Sequence, residues 1–411
     1  MTTATTQERQ WLGQWNSAVS SYYLLVGASG LLLIFGLVMV LSSSAVTSIA
    51  AGASPYATFL RQGQFFLLGL PVMVGAMHLP LHWYKRLAWP ALIFAMALQS
   101  LTFIPAFARG KGGNTGWIYL GAGVTMQPAE VGKLALAIWL GFVLGRKHRM
   151  LGQWSHTLMP AVPGVVAVVA LVLAGHDLGT AMVICALALG AFWVAGAPGK
   201  LLALGGGLAA VVVGYVFIFA QGTGNRMARI MAVYNPDCDV KDICYQVQQG
   251  MYALGTGGVF GVGLGASREK WKYLPEAHND FIYAIIGEEL GLFGTLMVLA
   301  LFVALGIAMS RVVRRHPDPF VKITTAAVAC WVVGQAFVNI GVVLGVFPVI
   351  GVPLPLVSSG GSALVTTMAA LGMVISFARH EPGAAEALAA RGSVVRRSLA
   401  VLGVRRRRQR R

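Results

Sequence analysis

The chain is short of charge and shorter still of acid. Only 11% of its 411 residues are charged, against about 25% in soluble domains, and that excludes an ordinary water-soluble globule. Fourteen Asp and Glu face 31 Lys and Arg, a formal charge of +17. In a soluble protein such a balance would suggest nucleic acid, but no base-reading motif accompanies it, and the charge lies in short loops and a tail. A nucleic-acid partner is therefore not expected. Cysteine is scarce as well. Cys185 and Cys330 fall in apolar runs and read as small buried hydrophobes. Cys238 and Cys244, in the polar stretch NPDCDVKDIC, are expected to form a short disulfide on an oxidising face, because no histidine or further cysteine stands near to complete a zinc site. The opening MTTATTQERQ lacks the charged-then-apolar pattern of a secretory leader, so the first apolar run is expected to stay in place as a helix.

What the chain has in abundance is apolar surface: 57% hydrophobic residues and a mean hydropathy of +0.71. Roughly 20 apolar residues cross a bilayer. Runs of that kind lie near 23–41, 59–79, 87–107, 127–145, 157–175, 178–195, 201–220, 281–309, 323–345 and 361–379. The expected fold is an all-α polytopic membrane protein of about ten transmembrane helices with both termini cytoplasmic. It divides into a cytoplasmic segment 1–22, a membrane core 23–379 and a basic cytoplasmic tail 380–411. This orientation puts 21 of the 31 basic residues inside, Lys85, Arg86, Arg146, Arg311, Arg314 and Arg315 among them, as the positive-inside rule requires. The tail's arginines suit an anionic membrane surface or a protein contact. Outside lies one long loop, 221–280, and from Asp237 to Glu289 the chain holds eight of its 14 acids. Long loops of this kind are usually functional.

Three motifs place chemistry at outer helix ends. Leu274-Pro-Glu276-Ala-His278-Asn279-Asp280-Phe281 carries carboxylates to the edge of a span; partial desolvation could raise the Asp280 pKa into the range of a general base, while the plain alternative is a solvated helix start. Gln127-Pro128-Ala-Glu130-Val-Gly-Lys133 sets Glu130 and Lys133 three apart on one helix face. Ionisable groups inside a span pair and face cavities, or simply fix packing. Pro353-Leu-Pro355-Leu-Val-Ser358-Ser359-Gly360-Gly361-Ser362 cannot be regular helix. It is either a breaker loop or a set of backbone donors for an anion. Lys270 is a candidate contact for an anionic headgroup. Trp117 is an interfacial anchor or a cavity wall, and Gln335 and Asn339 are polar packing contacts or cavity lining. The glycines of 255–265 lack the context of a phosphate loop, so no nucleotide is expected.

Taken in order, QPAEVGK, GHDLGTA, YLPEAHNDFIYAIIGEELG and PLPLVSSGGS resemble the SEDS family of shape, elongation, division and sporulation proteins, across roughly residues 20–380, and more its division branch than its elongation branch. The resemblance implies a peptidoglycan glycosyltransferase of the bacterial cytoplasmic membrane, acting at the division septum. It would polymerise lipid II into β-1,4 glycan on the outer face, with undecaprenyl-linked glycan as the growing chain. A class B penicillin-binding transpeptidase and other division proteins are the implied partners. It carries the proposed catalytic aspartate onto Asp280, the intramembrane pair onto Glu130 and Lys133, the loop tryptophan onto Trp117, and the serine-glycine segment onto Ser359, Gly360, Gly361 and Ser362. An arginine common before the tryptophan is replaced here by Gly116, so Arg109 or Lys111 would have to supply its contact. Conversion of an α-linked diphosphate into a β-glycoside implies inversion and hence a base on the acceptor side. The departing diphosphate needs cationic help from Lys133, Lys270, Arg268, amides near Gly360, or a Mg²⁺ or Mn²⁺ ion. A lipid II flippase and a catalytically inert division scaffold are the competing readings.

Overall fold

In hydrocarbon a chain must satisfy its own backbone hydrogen bonds, and here helices do so. The computed structural model describes residues 19–50, 52–111, 114–121, 124–150, 152–219, 243–271, 273–384, 386 and 388. Helices α1 (Ser20–Ala50), α2 (Ala57–His78) and α3 (Leu81–Ser100) lead to strands β1 (Ala108–Lys111), β2 (Asn114–Gly121) and β3 (Val124–Met126). Next come α4 (Pro128–Arg146), α5 (Ala161–Ala174), α6 (Leu178–Ala195), α7 (Gly199–Phe219) and α8 (Ile243–Gly257). The order ends with α9 (Ile282–Arg315), α10 (Pro319–Val343) and α11 (Gly361–Arg379).

Among the described residues eight helical stretches are long and apolar enough to cross a membrane: α1, α3, α4, α5 with the short turn before it, α6, α9, α10 and α11. The other two expected spans are α2, which contains Pro71, and α7, whose first part is a shorter apolar helix. The chain is a multi-pass helical membrane protein. Helices α4, α6, α10 and α11 are mostly buried, whereas α3 and α5 mostly face outward. Lipid supplies no hydrophobic drive between helices, so close contact depends on small residues: Gly141 of α4 lies against Thr324 and Gly190 of α6 against Cys330, both on α10, with no room for a Cβ.

The polytopic helical fold is as expected, with two additions. Three short strands within 108–126 form an antiparallel sheet in the order β1-β2-β3. Ile118 is buried beneath it, and the Thr115 amide donates to the Gly175 carbonyl at 3.1 Å, so the sheet covers the α5–α6 turn. The outer segment 221–280 contains α8 and a glycine-rich turn packed on α9. The expected Cys238–Cys244 disulfide lies outside the described residues.

That turn has a physical cause in the next helix. Gly291 breaks α9 with φ +66°, which removes the bonds that the amides of Leu292 and Phe293 would have made to the carbonyls of Glu288 and Glu289. Residues 258–263 satisfy all four groups. Leu292 N donates to Gly258 O (2.9 Å) and Phe293 N to Val259 O (3.5 Å), while Val262 N and Gly263 N donate to Glu288 O (2.9 Å) and Glu289 O (3.0 Å). Gly261 (φ +78°) comes so near Glu289 O that a side chain there would overlap it.

Arg146, Arg311, Arg314, Arg315 and Arg379 collect at one set of helix ends, the cytoplasmic set by charge. Glu381 is buried there. It accepts from Ser21 Oγ at 3.5 Å and lies 4.0 Å from Arg315, and its burial pushes its carboxyl pKa above the ordinary value.

Candidate active site

At the opposite, outer end, the two prolines of 353–355 keep the chain before α11 out of helix, and five of its backbone groups are met by side chains. Gln335 Nε2 donates to Pro353 O and Asn339 Nδ2 to Val352 O, both at 2.8 Å. Leu354 N donates to Ser358 Oγ at 2.8 Å. Gln62 of α2 brackets the far end, donating to Ser358 O (3.3 Å) and accepting from Gly360 N (3.2 Å).

The same segment holds the loop that ends in Asp280. Ser358 Oγ donates to Asn279 O at 2.6 Å, Ser359 Oγ to Asn279 Oδ1 at 2.7 Å, and Ser359 N to His278 O at 3.0 Å. Asn339 Nδ2 adds a bond to Asp280 O at 2.8 Å. The Asp280 carboxyl is half-buried, and a Cβ placed on Gly351 would stand 3.7 Å from its Oδ2. Two of the three sequence motifs are thus joined directly.

The third is joined through amides. Glu130 and Lys133 form the expected pair at 2.8 Å, both buried. Lys133 Nζ also donates to Gln335 Oε1 at 3.1 Å and lies 4.9 Å from the Trp331 ring centroid. At the head of α4, Gln127 N donates to Ser362 Oγ (3.2 Å) and Gln127 Nε2 to Asp177 Oδ2 (2.5 Å). Asp177 in turn caps α6 through Thr180 N at 3.0 Å. The result is one polar layer across α2, α4, α6, α9, α10 and α11, with a carboxylate at its rim and a paired ammonium within it. Such a layer can take a proton at Asp280 and offer positive charge nearby.

Two expected anion contacts, Lys270 and the Gly360 amide, are differently employed. Lys270 is buried and saturated by Glu289 Oε1 (2.9 Å), Gly265 O (2.7 Å) and Ser42 Oγ (3.5 Å), because the carboxylate that α9 buries needs a counter-charge. The Gly360 amide is taken by Gln62, and Gly361 packs against the Phe65 ring where a Cβ would overlap it. Glu288 accepts from Ser267 Oγ and, at 2.8 Å, from the backbone amide of Arg268. Trp117 lies half-buried on β2, with Arg109 its direct backbone partner across the sheet. Among the described residues no three His, Cys, Asp or Glu gather as metal ligands. Gln62 and Asn279 were missed as organising residues. A glutamine in the apolar run of α2 was the available signal for the first.

The profile of the family described as Cell cycle protein, FTSW_RODA_SPOVE, matches residues 22–382. The chain belongs to this family. Among FTSW_RODA_SPOVE relatives, a protein of Mycobacterium tuberculosis named "Probable peptidoglycan glycosyltransferase FtsW" is 39% identical over 92% of this chain and 71% of its own length. One of the same name from Halorhodospira halophila is 37% identical over 89% and 91%. A chain from a structure described as "Structural coordination of polymerization and crosslinking by a peptidoglycan synthase complex" superposes with TM-score 0.69 at 25% identity, covering 86% of this chain and 96% of its own. The rod shape determining protein RodA of Thermus thermophilus gives 0.63 at 25% identity, covering 87% and 97%.

Proposed function

We propose that this protein is a peptidoglycan glycosyltransferase that polymerises lipid II at the outer face of the cytoplasmic membrane during cell division, by inversion, with Asp280 as the base. The naming of its relatives supports the reaction class. The observation that carries the role of Asp280 is the binding of its loop to the 352–362 segment through Ser358, Ser359 and Asn339, which holds one carboxyl at the rim of the polar layer. Asp280 takes the proton of the acceptor sugar's 4-hydroxyl as that oxygen attacks the anomeric carbon of the growing chain. The bond to undecaprenyl diphosphate breaks on the opposite face, and orientation of two membrane-anchored substrates supplies much of the acceleration. Lys133 is a cation within the layer, and drawing it towards the diphosphate would loosen its pair with Glu130. A class B penicillin-binding transpeptidase and further septal division proteins complete the assembly.

The test uses purified protein, its transpeptidase partner and labelled lipid II. Glycan ladders on a gel are expected, and they disappear in Asp280→Asn. Lipid II translocation in liposomes without chain growth would replace this reading with the flippase.

A further inference from the structure

Helix α10 carries two carboxamides one turn apart, and they grip consecutive carbonyls of one irregular segment: Gln335 takes Pro353 O and Asn339 takes Val352 O. Each amide also reaches a second group. Gln335 Oε1 accepts from Lys133, and Asn339 Nδ2 donates to Asp280 O. A continuous polar path therefore runs from Glu130 through Lys133, Gln335, the 352–353 backbone and Asn339 to the main chain of Asp280.

The geometry points to Asn339 as the positioning residue for the Asp280 carboxylate, fixing its backbone against the 351–353 segment so that the base meets the acceptor hydroxyl in one place. Both hydrogens of the amide are engaged by carbonyls of two different segments, a bridge that no apolar residue can make. Asn339 Oδ1, by contrast, is buried without a hydrogen-bond partner among the described residues. An unmet buried acceptor costs about 1–3 kcal/mol. Stability alone would favour an arrangement without it, and a positioning role accounts for its retention. Gly351, at φ +70°, brings the same segment close to the carboxylate, where a Cβ would stand 3.7 Å from Asp280 Oδ2. The Asp280 loop is thus held by α10 and by the 352–362 segment at once, and a shift of about 1 Å at a reacting group can cost as much as 100-fold in rate.

This inference rests on Asp280 being the base, and Asp280→Asn is run beside it for that reason. Single-turnover polymerisation of labelled lipid II is followed between pH 5 and 9, with rates normalised to folded protein by thermal melting in detergent. Asn339→Asp keeps the shape but turns acceptor oxygens towards two carbonyls. A loss of roughly 10- to 100-fold in kcat is expected, with KM for lipid II changed by less than about twofold. The acid limb of its profile moves to higher pH, because a second carboxylate disfavours ionisation of the first. Asn339→Gln, which keeps the amide, recovers part of the rate. Folded Asn339→Asp with the parent's kcat and profile, beside an inactive Asp280→Asn, overturns the positioning role alone. An active Asp280→Asn overturns the base and this inference with it. Should Asn339→Asp fail to fold, Asn339→Gln decides, since a carboxamide one methylene longer shifts the Asp280 backbone without adding charge. A kcat lowered by about threefold at constant KM supports the inference, and an unchanged kcat ends it.

Discussion

Removing the Lys270 ammonium should destabilise the protein without touching its chemistry. The side chains of Lys270 and Glu289 are 4% and 0% exposed, so Lys270→Met leaves Glu289 as a buried charge with only Ser42 to answer it, through hydroxyl contacts of 2.6–2.7 Å. Breaking one side of a buried pair costs about 3–5 kcal/mol, while replacing both partners with neutral groups of like volume is close to neutral. Melting of Lys270→Met in detergent should fall by roughly 3–6 °C. Lys270→Met with Glu289→Gln should recover most of that loss and polymerise lipid II at near the parent rate. Two results refute the reasoning. Lys270→Met as stable as the parent removes the structural role, and a stable, inactive double variant returns Lys270 to the diphosphate.

The broken helix and the cytoplasmic latch make predictions of their own. Gly261→Ala forces a Cβ onto Glu289 O at a positive φ and should loosen the four bonds between the 258–263 turn and α9, each worth about 1 kcal/mol; proteolysis of the 258–271 segment is expected to accelerate, and unchanged cleavage would contradict the clamp. At Glu381 burial raises the carboxyl pKa, so the ionised form is disfavoured in the folded state, and stability falls as pH rises through that raised value. Glu381→Gln should accordingly melt above the parent at pH 8, with the gap closing towards pH 5. A lower melting point at pH 8 would mean that the contact with Arg315 outweighs desolvation.

Hydropathy located the helices because a bilayer imposes one length and one polarity on every span, and α1 to α7 and α9 to α11 follow the ten runs. Ionisable residues were legible for the same reason, since Glu130, Lys133 and Asp280 are anomalies in apolar surroundings. The sheet at 108–126 was not legible: its strands are short and glycine-rich, and the alternation around Trp117 is too brief to outweigh the neighbouring helices. The 255–265 glycines were noticed but unexplained, because their cause is the break at Gly291, some 30 residues away in sequence. Lys270 looked available because sequence does not reveal that Glu289 turns inward to meet it. Gln62, Gln335 and Asn339 act on irregular backbone that only the folded chain brings beside them.

The most direct measurement is the distance from the Asp280 carboxylate to the acceptor sugar's 4-hydroxyl in a structure of this protein with its transpeptidase partner and lipid II bound. A base in position should lie within about 2.6–3.2 Å of that oxygen, or be linked to it by one water. A carboxylate turned away from the sugar, with another side chain at hydrogen-bond distance from the hydroxyl, would contradict the assignment.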